Sequence, residues 1–224
     1  MRGLGWTLLG LVLLLAIALG TLLGTSAGSR WLLTQVPGLT VEAFEGRLGQ
    51  RWQADRLIWE QDGSHVEVQQ PRLDWSPACL LKRTLCIDEL VTGSIELNFP
   101  PSEPDPNAEP FSLPDINLPL VLQVERIEIG QVTLNDAEQL RRLQLQANWR
   151  ADGLDIQRLD VRRDDLDLTL TGRLQPSGNW PLQLQGQAAL QSPDEQPWAL
   201  MIAIEGDLRE QLQLQVESQG YLQG

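Results

Sequence analysis

Leu143-Gln144-Leu145-Gln146-Ala147-Asn148-Trp149, Leu166-Asp167-Leu168-Thr169-Leu170-Thr171 and Leu182-Gln183-Leu184-Gln185 alternate apolar and polar residues with a period of two. Successive side chains of a β-strand point to opposite faces, so each stretch reads as a strand with one apolar face. Leu200, Ile202 and Ile204 continue the pattern, followed by Leu212, Leu214 and Val216. Turn-forming residues separate the runs at Asp152-Gly153, Pro176-Ser177-Gly178-Asn179, Ser192-Pro193-Asp194 and Glu205-Gly206-Asp207. Consecutive strands joined by short turns predict an antiparallel meander.

Upstream, Leu57 and Trp59, then Val66 and Val68, occupy alternate positions in the same way. A short helical turn is expected through Ala78-Cys79-Leu80-Leu81-Lys82, with Ile87, Leu90, Ile95 and Leu97 in the strand region after it. Cys79 and Cys86 are the only cysteines. They lack the C-x-x-C spacing of a redox pair and the further ligands of a zinc site, so they read as a structural disulfide formed in an oxidising compartment. Between Pro100 and Pro119 lie half of the fourteen prolines, with Glu103, Asp105, Glu109 and Asp115. Proline donates no backbone hydrogen bond, so this acidic stretch is a long surface loop rather than a central strand.

Gly3 to Gly24 carries no charge and is dominated by Leu, Ile, Val, Ala and Gly, including Leu4, Leu8, Leu11, Leu15, Leu19 and Leu23. Twenty helical residues rise about 30 Å, the thickness of a bilayer core. Thr25-Ser26-Ala27-Gly28 is small enough for signal cleavage, but the apolar length favours a retained anchor. Helix is expected to continue over Ser29 to Val36, with Trp31 at the headgroup level, and to stop at Pro37-Gly38. The cysteine pair then places the body on the oxidising side of the membrane, the periplasm in a Gram-negative cell. The expected organisation is an anchor and juxtamembrane helix over 1–36, a first β segment over 37–99, the Pro-rich loop over 100–119 and repeated strands over 120–224.

With 30 Asp and Glu against 17 Lys and Arg, the net charge of −13 opposes nucleic-acid binding. The single histidine, His65, leaves little room for metal or acid–base constellations, and no nucleophile-elbow, P-loop or zincin motif is present. Asp165 and Asp167, two apart, read as solubility on a polar sheet face. Trp75 and Trp149 fall at apolar positions, and Trp180 beside Pro181 reads as a turn cap. No catalytic residue, metal or cofactor is expected, and the chain is not expected to be an enzyme.

What covers the apolar face then decides function, because each leucine left in water forfeits about 1.5–3 kcal/mol of burial. Pattern alone leaves two solutions. The commoner is a sheet closed on itself as a sandwich or barrel. The other is an open trough whose floor receives something apolar.

Several short motifs bear on that choice: Gly28-Ser29-Arg30-Trp31-Leu32-Leu33, Val36-Pro37-Gly38-Leu39, Glu45-Gly46-Arg47-Leu48, Leu73-Asp74-Trp75 and Cys79 through Cys86. In this order, followed by the Pro-rich loop and repeated strands, they make the chain resemble the N-terminal part of the TamB-like family, related to AsmA-like proteins of Gram-negative envelopes. The resemblance implies an all-β fold: an N-terminal transmembrane helix followed by an elongated, curled antiparallel β-sheet, a taco-like groove. It implies the inner membrane as location, single-pass, with the body in the periplasm. Phospholipids are the implied cargo, and the outer-membrane barrel TamA is the implied partner, engaged through a C-terminal region that this chain, read as truncated, does not contain. A dozen strands stack to only about 60 Å, the inner-membrane end of a periplasm-spanning groove. The implied floor comprises Leu143, Leu145 and Trp149; Leu166, Leu168 and Leu170; Leu182 and Leu184; Leu200, Ile202 and Ile204; and Leu212 and Leu214. The alternative role is a scaffold that pairs its sheet edges with strands of client proteins. A third is a tether with a closed, dry core.

Overall fold

The computed structural model describes residues 18–100, 113–190 and 198–219. Of the expected anchor, Leu4, Leu8, Leu11 and Leu15 lie outside the described residues, as does the turn at Ser192-Pro193-Asp194. Among the described residues no helix is long and apolar enough to cross a membrane.

Residues 18–24 are helical, and a second helix, α1, spans Ser26–Thr34. The chain is not one continuous helix through this region. Thr25 has extended backbone angles, and its side chain accepts a hydrogen bond from the Gly28 amide, capping α1. A Cβ on Gly28 would stand 2.6 Å from the Leu22 Cα, so only glycine lets the two helical pieces approach this closely.

The strands among the described residues form one sheet of fifteen. The first group is β1 (Leu39–Glu42), β2 (Glu45–Gly46), β3 (Arg51–Gln53), β4 (Arg56–Gln61), β5 (Ser64–Gln69), β6 (Arg72–Ser76) and β7 (Thr84–Asn98). After the Pro-rich connection come β8 (Val121–Leu134), β9 (Ala137–Leu140), β10 (Arg142–Arg150), β11 (Gly153–Arg162) and β12 (Leu166–Leu174). β13 (Pro181–Leu190), β14 (Trp198–Asp207) and β15 (Leu212–Gln219) complete the sheet. The main path runs β1-β4-β5-β7-β8-β10-β11-β12-β13-β14-β15 and does not close, leaving β1 and β15 as edges. Eleven strands at about 4.8 Å spacing extend it roughly 48 Å. β5 and β6 lie end to end along one edge of β7, so the sheet forks there into two wings. The expected helical turn is a 3-10 helix, Pro77–Lys82, and the Cys79–Cys86 disulfide ties it to the start of β7.

Three expectations need correction. The sheet is not wholly antiparallel: β7 and β8 pair in parallel, from Thr84 opposite Val121 to Leu97 opposite Leu134. To lie beside the start of β7 after leaving its end, the chain must travel back along a strand of about 50 Å. A parallel pair needs a connection of a dozen or more residues, which is the physical reason for the long Pro-rich segment. Second, Glu205-Gly206-Asp207 is not a turn. β14 runs through Asp207, and the chain reverses over residues 208–211. Third, Asp165 lies in the bend before β12 rather than beside Asp167 on the strand.

The described end of the connection is docked. The Ile116 amide donates to the Pro176 carbonyl at 2.8 Å, and Arg209 pairs with Asp115 at 3.1 Å while also donating to the Leu113 and Gly178 carbonyls. Residues 113–116 thus lie against the turns that follow β12 and β14. Trp180, in the first of these turns, is buried with a positive φ of 57°, consistent with a turn cap.

Candidate functional site

Directly paired residues on neighbouring strands share a face, so the register shows which side chains come together. Leu145 stands opposite Leu159, which is opposite Leu170, then Gly186, Ile202 and Val216. The row Leu143–Val161–Leu168–Ala188–Leu200 runs beside it, and Leu184–Ile204–Leu214 beyond. Trp149 faces Leu122 and Leu154, and Leu154 leads through Leu174 to Leu182. Leu166 shares the parity of Leu168 and stands opposite Leu190; Leu212 shares that of Leu214 and stands opposite Gly206. All thirteen residues of the expected floor therefore lie on one face.

That face extends well beyond them. Through Ile127 and Ile129 of β8 it reaches Leu90 and Thr92 of β7. At the other end of β7 a second apolar row runs from Ile95 and Leu97 to Val68 and Val66, then Leu57 and Trp59, and finally Val41 and Leu39. β8 and β11 were not legible as strands because each contains a bulge. On β11 the apolar positions step from Ile156 to Leu159, on β8 from Val124 to Ile127, and on β7 from Ile87 to Leu90. These irregularities lie level with one another across the sheet. A bulge keeps the apolar side chains on one face while bending the strand and increasing its twist, so aligned bulges curl the sheet. The available sequence signal was an alternation that resumes out of phase after two polar residues, as in Val124-Glu125-Arg126-Ile127.

No second layer covers the face among the described residues; packed elements are hydrogen-bonded neighbours, apart from α1 on β1 and the 3-10 turn on β7. Among the described residues only eight apolar side chains are buried, including Val124, Ala147, Ile156, Leu170 and Ala188 near the middle of the face. Most of the leucines are half-buried, and on β15 exposure rises to 63% at Leu214.

The opposite face is polar and cross-linked by charge. Glu128 accepts from Arg126 and Arg142 at 2.5 Å each, and Arg126 reaches Glu89 at 3.3 Å. The Arg126 hydrogen bond is the main cause holding the Glu128 carboxyl below its ordinary range, against the opposing effect of partial burial. At Asp160 burial pushes the pKa up, but hydrogen bonds from Arg158 and Thr169 outweigh it and the net shift is downward. Asp165 stands 3.2 Å from Arg163, and Asp167 3.9 Å from Arg162. His65 lies 3.0 Å from Glu60.

At the β1 end the face meets α1. Ser29, with no exposed surface, accepts from the Leu48 amide at 2.9 Å, and the Leu48 carbonyl accepts from the Trp75 indole at 2.8 Å. The Gly49 amide donates to the Leu23 carbonyl at 2.9 Å. Three of the short motifs quoted above, those containing Ser29, Leu48 and Trp75, thus converge on one junction between helix and sheet. Beside it a hollow of about 380 Å³ opens between α1 and β1, lined by Arg30, Leu33, Thr34, Leu39, Val41, Ala43 and Phe44.

The family model described as TamB, N-terminal domain, matches residues 11–112 and 105–224. No curated protein and no solved structure matches the chain.

Proposed function

Because the chain belongs to the TamB N-terminal domain family, we propose that it forms the inner-membrane end of a hydrophobic trough carrying phospholipid between inner and outer membranes. Family membership points to a TamB-related role in outer-membrane assembly, and lipid supply along the trough would support assembly of outer-membrane proteins and autotransporters. The observation that carries the reading is the apolar face itself, running from Leu90 on β7 to Leu214 on β15, with a further apolar row from Leu97 to Leu39 on β1, and no protein layer over either among the described residues. Exposed apolar surface on this scale is not left in water without an occupant, and acyl chains match it in chemistry and in shape. The apolar run from Gly3 to Gly24 would hold the chain in the inner membrane, single-pass, with the sheet in the periplasm where the Cys79–Cys86 bond is stable. The outer-membrane barrel TamA is the protein partner this reading implies. The role is conduction rather than catalysis.

Photocrosslinking in intact cells tests this reading. A benzophenone residue at Leu145, Leu168 or Leu184 should yield phospholipid adducts, and one at Gln144 or Gln183, on the opposite face, should not. Absence of adducts at all three leucines in well-expressed protein would reject the conducting trough. A second reading, β-augmentation of client strands, draws on the two edges left by β1 and β15 among the described residues. Aspartates at Leu145, Leu168 and Leu184 separate the two: lipid passage stops while edge pairing continues.

A further inference from the structure

We infer that the hollow between α1 and β1 binds the phosphodiester head group of a membrane phospholipid on Arg30, with the acyl chains laid over Leu39 and Val41. The inference rests on the proposed lipid trough and adds a site that selects what enters it. Four observations support it. Arg30 is the only charged residue lining the hollow, in a chain whose net charge is −13. An anionic group is repelled by most of this surface and attracted here. Arg30 donates from one Nη to the Phe44 carbonyl at 3.1 Å, which fixes the guanidinium at the rim. Among the described residues no carboxylate lies within ion-pair distance of it, so its remaining N–H groups keep the fork geometry that suits a phosphate.

The remaining lining argues for an amphiphile over a free phosphate. Leu33, Leu39, Val41 and Phe44 make most of the wall apolar, and Leu39 and Val41 belong to the same face as Leu57 and Trp59. A chain held there by its head group would already lie at the start of the trough. Arg30 is the first charged residue after Arg2 and follows the apolar run from Gly3 to Gly24 by only six positions, which puts the hollow at the membrane end of the molecule.

The test uses the intact chain with a benzophenone residue at Val41 or Leu168, in nonionic micelles holding equal amounts of phosphatidylglycerol and diacylglycerol with identical acyl chains. Adducts at Val41 should favour phosphatidylglycerol by about tenfold, the worth of one hydrogen-bonded charge pair. Arg30→Gln, which keeps a donor for the Phe44 carbonyl but removes the charge, should abolish the preference with an unchanged melting temperature. Arg30→Lys should retain part of it. A preference that survives in Arg30→Gln, or adducts at Val41 formed only with the chain's own N-terminal residues, would overturn the assignment. Lipid adducts at Leu168 with no preference at Val41 would sink the head-group site alone, whereas lipid adducts at neither position would sink the trough as well.

Discussion

Replacing Ser29 by alanine should loosen the junction between helix and sheet without disturbing the sheet itself. The Ser29 side chain is wholly enclosed, and its oxygen is the acceptor for the Leu48 amide at 2.9 Å. Its own hydroxyl reaches the Leu22 and Leu23 carbonyls only at 3.4 Å, so those contacts contribute little. Alanine opens almost no cavity but leaves the Leu48 N–H without an acceptor, and a buried donor orphaned in this way costs about 1–3 kcal/mol. Strands in this sheet touch only their neighbours, so the loss is felt as local opening rather than global unfolding. At about 2 kcal/mol, exchange of the Leu48 amide with solvent deuterium should accelerate roughly thirtyfold. Amides in β12 and β13 should be unaffected, and Ser26→Ala, on the exposed side of α1, should change nothing. If Leu48 exchanges at the wild-type rate in Ser29→Ala, the hydroxyl does not hold this junction and the argument for a fixed helix–sheet connection fails.

Acid should weaken the sheet through Glu128 and Asp160. Both carboxyls are held below their ordinary values in the fold, so their stabilisation is full above the unfolded-state pKa, near 4, and is lost as pH falls through the depressed folded value. Melting temperatures measured from neutral pH down to pH about 3 should fall in the wild type; a Glu128→Gln/Asp160→Asn variant that falls equally would refute the assignment. Gly130→Ala places a Cβ 1.8 Å from the Gly93 carbonyl oxygen, a backbone atom that cannot swing aside. It should destabilise the parallel β7–β8 pair by about 1–3 kcal/mol in chemical denaturation. Gly93→Ala comes nearest the flexible end of Gln70, at 3.1 Å, with the Gln69 carbonyl oxygen at 3.4 Å in ordinary contact, and should be mild; equal effects would contradict the geometry of the seam. Reducing Cys79–Cys86 opens a small loop and should cost about 2–3 kcal/mol, read as earlier melting in dithiothreitol that a double serine variant reproduces without reductant.

The strands that were legible in the sequence were those whose alternation is unbroken. On β10, β12 and β13 the period of two both identifies the strand and assigns its faces, and the register agrees with that assignment at every leucine from Leu143 to Leu184. The cysteine pair and the helical turn before β7 were equally local, set by residues a few positions apart. β8 and β11 escaped notice because a bulge shifts the phase, and a phase shift has meaning only against the neighbouring strand. The helix break at Thr25 was hidden for a related reason: Thr25 and Gly28 look like ordinary small residues until the loop at Leu48 and Gly49 closes over them.

The sequence by itself determined that this is a chain of amphipathic strands with one apolar side, since side-chain alternation is a property of each strand alone. Only the tertiary structure decided that β7 and β8 run parallel, that the Pro-rich segment is the return path this requires, and that among the described residues no second layer covers the apolar side of the sheet. Strand direction, bulge alignment and closure are relations between segments far apart in the chain. They are set by backbone pairing and the loop lengths that permit it, which no local pattern encodes.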